Sequence, residues 1–318
     1  MTSPRFTIVM PAYNAEATLE RSVRSVLAQT VLDWELVIVD DGSVDGTFEL
    51  ATRLAEQDRR IALLQQENAG AGPARNRGIL ESTTEFVTLL DADDQMFPEY
   101  LERISELIAQ YPGFSVYGCN AQMEFPDGSR RRMFTGDRPG SRRVREISLA
   151  EVIMSTAVVP AFSTMRRLAY QDVGGYRAVF SEDYDLWLRM LATGHRILRT
   201  SDPLINYVWS ATNKTMSGHL RMMKSTLRVV GDLCESSGLP DGAQLTCKRR
   251  LDSLAHEVAL IPVKERIRSG DFAGARRAFL RHCRAMKPLR RIAVLALVLL
   301  SPRVYRFVAR RIDPMAAG

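Results

Sequence analysis

Two aspartates, Asp91 and Asp93, stand one residue apart directly after the apolar run 86–90. Carboxylates in that position emerge together from the end of a strand. They supply the hard oxygen donors that Mg²⁺ or Mn²⁺ takes alongside water and substrate phosphates. A metal–diphosphate site and a solvated acidic turn both fit this spacing. Asp40 and Asp41, followed by Gly42 and Ser43, close a second apolar run. One of these carboxylates could accept a hydrogen bond from a nucleobase ring N–H; a turn in which Asp41 caps the next helix is the competing reading. The third segment is Asn68-Ala-Gly-Ala-Gly72-Pro-Ala-Arg75-Asn76-Arg77-Gly78. A dinucleotide-binding GxGxxG would need glycine where Arg75 stands, and would follow the first strand rather than the third. An arginine near a helix start suits a diphosphate or a base edge, although an ordinary surface arginine has the same sequence neighbours.

These residues sit at the joints of an alternating pattern. Short apolar runs at 6–10, 35–39, 61–64 and 86–90 are separated by helix-spaced segments at 15–28, 47–57 and 73–82, the signature of parallel βαβ units. Each run ends in polar, loop-forming residues, and in open α/β sheets ligands bind at the carboxyl ends of strands, so the four tips would line one crevice. A helix over 98–110 and a strand near 115–123 follow. The stretch 126–145, rich in Arg, Gly, Pro and Ser, reads as a mobile loop. Regular structure resumes near Ser148, and 182–192 reads as a helix with an acidic first turn. From about residue 217 the pattern is helical, broken at Gly238-Leu-Pro240, Ser269-Gly-Asp271 and Ser301-Pro302.

Composition narrows the classes. With 318 residues, 46% apolar and 25% charged, the chain is globular and long enough to bury a core without disulfides or metals. Cys119, Cys234, Cys247 and Cys283 are scattered, so neither a zinc site nor a disulfide framework is indicated. The first residues lack the pattern of a secretory signal, and the longest apolar run, 292–300, is about half of what a membrane span needs. A net charge of +6 conceals polarity: residues 1–100 hold 8 basic and 17 acidic side chains, residues 201–318 hold 21 and 9. Carboxylate chemistry at the front and an anionic partner at the back would explain the division. Nucleic acid is not that partner, because the basic tail lacks a recognised motif and regularly interleaved aromatics.

Taken together, FTIVMPAYNAEATLERSVRSVLAQT, WELVIVDDGSVDGT, QQENAGAGPARNRGI and EFVTLLDADDQMFPEYL resemble the N-terminal half of a family 2 glycosyltransferase with the GT-A fold. The likeness is dense over about residues 5–110 and thinner to about 210. It implies an α/β, Rossmann-like nucleotide-sugar-binding domain with a mixed central sheet, a nucleotide-sugar donor, Mn²⁺ or Mg²⁺, and transfer with inversion at the anomeric carbon. Carried over by position, Pro11, Ala12, Tyr13 and Asn14 would flank the nucleoside and Asp41 would bind the base. Asn68, Gly70 and Arg75 would lie by the nucleotide, Asp91 and Ala92 by the ribose or sugar, and Asp93 on the metal. The segment Ser181-Glu182-Asp183-Tyr-Asp-Leu-Trp187 resembles the family's acidic segment before a tryptophan-containing helix, making Asp183 the implied catalytic base with Glu182 beside it. A helix N-terminus would help to keep that carboxylate ionised. An aspartate that accepts from a ring N–H suits uracil or thymine, which favours a UDP-sugar, with dTDP next.

The resemblance also has gaps. Many relatives place an arginine and a histidine soon after the last strand of the catalytic domain; here residues 206–217 contain no histidine, and Asn213, Lys214 and Ser217 are the candidates for a diphosphate contact. A QxxRW segment is absent, which argues for a single addition rather than polymerisation. The expected organisation is a catalytic domain over 1–215 and a basic helical region over 216–318. Residues 264–311 carry 14 Arg or Lys against 2 Asp or Glu around the run 292–300. That region is either an interfacial helix drawn to anionic lipid or one helix of a packed bundle. The expected location is the cytoplasm, at the inner face of the cell membrane if the tail is interfacial. The expected function is transfer of one sugar to a hydroxyl of a glycan or lipid-linked acceptor in surface-polysaccharide synthesis. The alternative is a non-catalytic nucleotide-sugar-binding protein on the same fold. Oligomeric state is open.

Overall fold

The computed structural model describes residues 5–135, 143–156, 158–209 and 219–282. The front of the chain alternates as its apolar runs require: β1 (Phe6–Ala12), α1 (Leu19–Leu27), β2 (Trp34–Asp40), α2 (Thr47–Gln57), β3 (Ile61–Gln65), α3 (Ala71–Glu81) and β4 (Phe86–Leu89). Then come β5 (Gln95–Met96), α4 (Tyr100–Gln110), β6 (Val116–Glu124), β7 (Arg130–Arg132), β8 (Val144–Ile147) and α5 (Leu149–Met154). β9 (Thr164–Arg166), α6 (Arg167–Asp172), α7 (Glu182–Ala192) and β10 (Ile197–Val208) complete the sheet.

The strands form one mixed sheet in the order β3-β2-β1-β4-β9-β6-β10-β5, with β7 on β6 and β8 on β10. β1 runs parallel to both β2 and β4, and β2 runs parallel to β3. β9 is antiparallel to β4 and to β6, while β6 and β10 are parallel. The carboxyl ends of β1, β2, β4, β6 and β10 therefore face the same edge. Because the chain moves from β3 across β1 to β4, the order reverses at β1 and β4, which is where an open α/β sheet forms its crevice. The main core packs α1 and α4 against one face, with Phe6, Ile8, Met10, Trp34, Ile38, Leu101, Ile104 and Tyr117 all buried.

On the other face α3 approaches β1 and β2 closely. A Cβ added to Gly78 would lie 2.5 Å from Cγ1 of Val9 and 3.2 Å from Cγ2 of Val39. Only glycine allows that approach, and it seats Arg75, one turn earlier, against the sheet. Two features differ from the sequence reading. Helix α1 begins at Leu19 rather than at residue 15, because residues 13–18 form the loop beyond β1. The supposed loop 126–145 contains β7 and the start of β8, whose arginines and glutamate hide the strand signal; charged, outward side chains are what exposed edge strands use.

Two compact units are distinguished, one comprising residues up to 217 with 237–243, the other 218–236 with 244 onward. The second contains α8 (His219–Glu235), most of α9 (Asp241–Arg268) and α10 (Phe272–His282), with Pro262 inside α9. Val263 of α9 packs with Ala275, Ala278 and Phe279 of α10. Among the described residues no helix is long and apolar enough to cross a membrane. Residues 283–318, including the run 292–300, lie outside the described residues.

Replacing Gly78 by alanine tests the close approach of α3. Alanine favours an isolated helix by about 1 kcal/mol, but here overpacking of Val9 should dominate, so Gly78→Ala is expected to lose about 1–3 kcal/mol in denaturant unfolding.

Candidate active site

The loop after β4 carries Asp91, Ala92, Asp93 and Asp94, and α1 holds it from below. Ser22 Oγ donates to the carbonyl of Ala92 at 2.9 Å, an Arg21 guanidinium N–H donates to the carbonyl of Asp93 at 3.2 Å, and Ser25 Oγ accepts from the N–H of Met96 at 3.0 Å. Three carboxylates result, from Asp91, Asp93 and Asp94, with one oxygen of each within 4.8 Å of the others. Burial, and then the negative charge of Asp91, raises the Asp93 carboxyl to about 6. Asp94 is buried and is raised well above the ordinary range by the same two causes. It accepts from the backbone N–H of Val208 at 3.2 Å, tying the acidic turn to β10. Proximity in sequence to the Asp91/Asp93 pair was the available signal for Asp94, which sequence reasoning passed over.

Arg75, on the first turns of α3, reaches into this turn. Its side chain is 3% exposed. One terminal nitrogen donates to Asp91 at 2.7 Å; the other donates to Asp183 at 3.0 Å and lies 3.5 Å from Glu182. The guanidinium also sits over the Tyr176 ring, 5.5 Å from its centroid. Arg75 is thus no ordinary surface arginine. Asp183 and Glu182 open α7, which spans 182–192 as the sequence pattern predicts; Ser181 precedes it without a side-chain capping bond. Burial raises the Asp183 carboxyl to about 6, with Arg75 pulling it down and Glu182 and Asp91 pushing it up. The Tyr176 hydroxyl is buried and has no hydrogen bond of ordinary geometry, yet lies close enough to Asp183 to perturb its titration.

The turn that presents Tyr176 is clamped from two sides. Asn76 Oδ1 accepts from the N–H of Tyr176 at 2.9 Å and from the Tyr170 hydroxyl, and Asn76 Nδ2 donates to the Tyr176 carbonyl at 2.9 Å. Gly175 has φ +71°, and a Cβ there would meet the Tyr170 hydroxyl at 2.5 Å. From α7, the fully buried Asp185 accepts from Arg177 Nε at 3.0 Å and Arg189 Nε at 2.9 Å, while Arg189 donates to the Gly175 carbonyl at 2.6 Å. None of these positioning residues was singled out from sequence; the Gly174–Gly175 pair was the one local sign of a sharp turn.

The tips of β1 and β2 are joined to each other. Asn14, at φ +50°, donates its N–H to Ser43 Oγ at 3.0 Å and accepts from the N–H of Val44 at 3.0 Å. Tyr13 is exposed beside it, Pro11 is half-buried, and Ala12 and Ala92 are buried. Asp41 does not cap α2. Its carboxylate accepts from Gln66 Nε2 at 2.7 Å and from the N–H groups of Ala69 and Gly70 at 2.9 and 2.8 Å, so it anchors the loop that carries Asn68 and Gly70. Asn68 itself is exposed. Thus Arg75, Asp91, Glu182 and Asp183 form one ionic cluster that Asp93 and Asp94 extend, whereas Pro11, Ala12, Tyr13, Asn14, Asp41, Asn68 and Gly70 line the neighbouring tips at the same edge. Asn213, Lys214 and Ser217 lie outside the described residues.

Removal of the central cation provides a test. Arg75→Ala leaves three carboxylates facing one another and should cost about 3 kcal/mol, the lower end for a broken buried ion pair because Asp91 and Asp183 keep some contact with water. Arg75→Lys should recover only part of this, since an ammonium cannot fork between Asp91 and Asp183; thermal melts of the three proteins decide.

Comparison with known proteins places this geometry in context. The description "Glycosyl transferase family 2" fits residues 7–174. The putative glycosyltransferase EpsE of Bacillus subtilis is 31% identical over 205 residues, covering 61% of this chain and 69% of EpsE. The succinoglycan biosynthesis protein ExoO of Rhizobium meliloti is 27% identical over 324 residues, covering 98% of this chain and 89% of ExoO. The match to glycosyltransferase GlyA of Streptococcus pneumoniae, 29% identical, spans 51% of this chain and only 23% of GlyA. Among solved structures, S. aureus TarS in complex with UDP-GlcNAc superposes with a TM-score of 0.65 at 16% identity, covering 96% of this chain and 92% of that one. The mannosyltransferase PcManGT of Pyrobaculum calidifontis, in complex with GDP-Man and Mn²⁺, gives 0.61 at 18% identity, covering 99% and 86%. With its mixed sheet, strand-tip motifs and acidic turn, the chain has the GT-A fold and belongs to glycosyl transferase family 2.

Proposed function

We propose that the protein transfers one sugar from a nucleotide-sugar, with a UDP-sugar favoured, to a hydroxyl of a glycan or lipid-linked acceptor, with inversion at the anomeric carbon. The observation that carries this reading is the juxtaposition, through Arg75, of Asp183 with the acidic turn of Asp91, Asp93 and Asp94. Asp183 serves as the base: it takes the proton of the acceptor hydroxyl as the oxygen forms its bond to the anomeric carbon, and the bond from that carbon to the diphosphate breaks on the opposite face. Arg75 and Glu182 orient Asp183. The tips of β1 and β2, with Asp41 and Tyr13, receive the nucleoside.

The acidic turn fits Mn²⁺ or Mg²⁺. Its donors are carboxylate oxygens, the class these cations prefer, and the Asp93 carboxyl is raised by burial and then by the like charge of Asp91, both of which a bound dication would offset. Asp93 would hold the ion, with Asp91 beside it toward the ribose or sugar; when bound, the ion neutralises charge on the diphosphate. PcManGT, with GDP-Man and Mn²⁺ on the same fold, lends support. Residues 1–215 would perform this chemistry. Residues 216–318 would serve acceptor or membrane, and a position at the inner face of the cell membrane follows if the basic tail binds anionic lipid. A non-catalytic nucleotide-sugar-binding role is disfavoured by the presence of all of Asp91, Asp93 and Asp183.

Calorimetric titration with UDP, dTDP, GDP and CDP, each with Mn²⁺ and with EDTA, should give metal-dependent binding in the micromolar range for one nucleotide, UDP by expectation. Silence with all four would sink the reading. Asp93→Ala should lose that binding, whereas Asp183→Asn should keep it and lose transfer; a parallel loss of both in Asp183→Asn would refute its assignment as base. Because Asp183 acts only when ionised, transfer should be level above about pH 7. Below about pH 6 it should fall by about tenfold per unit, more steeply once Asp93 protonation also weakens the metal.

A further inference from the structure

At the carboxyl ends of β6 and β10 four aromatic rings lead outward from the core. Phe162 is buried; its centroid lies 6.5 Å from that of Tyr207, Tyr207 lies 6.4 Å from Trp209, and Trp209 lies 5.7 Å from Phe125. The last three are partly exposed. Strand geometry accounts for the row: Tyr207 and Trp209 are two residues apart and so point to one side, and the N–H of Trp209 donates to the carbonyl of Glu124 at 2.8 Å, which brings it beside Phe125. Tyr207 and Trp209 flank Val208 in sequence, whose N–H is bonded to Asp94. Polar groups frame it. The Glu124 carboxylate accepts from Asn206 at 3.0 Å and from Arg130 at 3.1 Å, and Arg131 lies over Phe125 at 4.3 Å.

A pyranose ring presents an apolar C–H face and an edge of hydroxyls. Partly exposed aromatics with an adjoining carboxylate and amide match both. In the strand order this row lies on the β6–β10 side of the acidic turn, whereas the β1 and β2 tips lie on the other. If the nucleotide takes the latter, the rings lie on the opposite side of the acidic turn from it. We propose that Trp209, with Tyr207 and Phe125, forms the acceptor subsite and stacks on the sugar ring of a neutral glycan. This assignment rests on the transferase reading above.

Trp209 supplies its own probe. The chain has three tryptophans, and Trp34 and Trp187 are fully buried, so a ligand that stacks on Trp209 should alter the emission of that residue alone. The full-length protein is titrated to millimolar concentrations with methyl glycosides and short oligosaccharides of glucose, galactose, mannose and N-acetylglucosamine. At least one should give a saturable change. By calorimetry with that glycoside, Trp209→Phe should bind within about threefold of wild type and Trp209→Ala at least about tenfold more weakly, with UDP binding unchanged in both. Phe125→Leu, which removes only the outermost ring, should also weaken the glycoside and guards against misfolding of the alanine variant. No saturable response, or affinity unaffected in both Trp209→Ala and Phe125→Leu, would overturn the subsite. If UDP still binds in that case, the transferase reading survives without it. Glycoside binding with no nucleotide binding would overturn the transferase reading and the acceptor role together.

Discussion

The guanidinium of Arg75 is buried, so its charge must be met by carboxylates, and those that meet it come from separate parts of the chain: Asp91 after β4, and Glu182 and Asp183 at the start of α7. A planar fork can serve two carboxylates at once in a fixed geometry, which an ammonium cannot. Asp91 and Asp183 are thereby held at a set separation before any ligand arrives. The arrangement is costly. Three acids around one cation leave an excess of negative charge in a half-dry place; burial first, and then the neighbouring Glu182 and Asp91 against the pull of Arg75, raises the Asp183 carboxyl.

Much of the surrounding structure keeps that cluster from relaxing. Gly78 lets α3 sit directly on β1 and β2, which fixes the base of the Arg75 side chain. A polar face on α1 bonds the backbone of the acidic turn through Arg21 and Ser22, and that of β5 through Ser25, leaving the carboxylates of the turn free of that duty. On the far side, Asn76 and the pair of buried Asp185 with Arg189 clamp the turn around Gly175 and Tyr176. Each device spends backbone or buried polar groups to hold an acid where repulsion would move it, a common exchange of stability for function.

The parallel front half was legible because strands buried on both faces write themselves as apolar runs ending in polar tips; 6–10, 35–39, 61–64 and 86–90 each became a strand within two residues. Helix 182–192 was equally plain from its acidic start. The Asp91/Asp93 spacing pointed to the acidic turn, and the ordered motifs to the family. β7 and β8 were not legible, since an edge strand built from Arg130-Arg131-Arg132 carries no alternation to detect. Nor were the positioning residues. Asp183 and Asp185 look alike in sequence, and only the packed structure shows one open to the crevice and the other fully buried between two arginines. The pairing of Arg75 with Asp183, 108 residues away, could not be read from sequence, because ion pairs between remote segments leave no local trace.

That distance has a kinetic meaning. Arg75 and Asp91 are 16 residues apart, whereas Arg75 and Asp183 are 108 apart. Closing the short loop costs less entropy, and contacts close in sequence form sooner than remote ones. As the chain emerges during synthesis, β1 to β4 and the acidic turn can assemble around Arg75 while α7 is still to come. A guanidinium paired with Asp91 alone keeps one arm of its fork open until the later segment supplies Asp183.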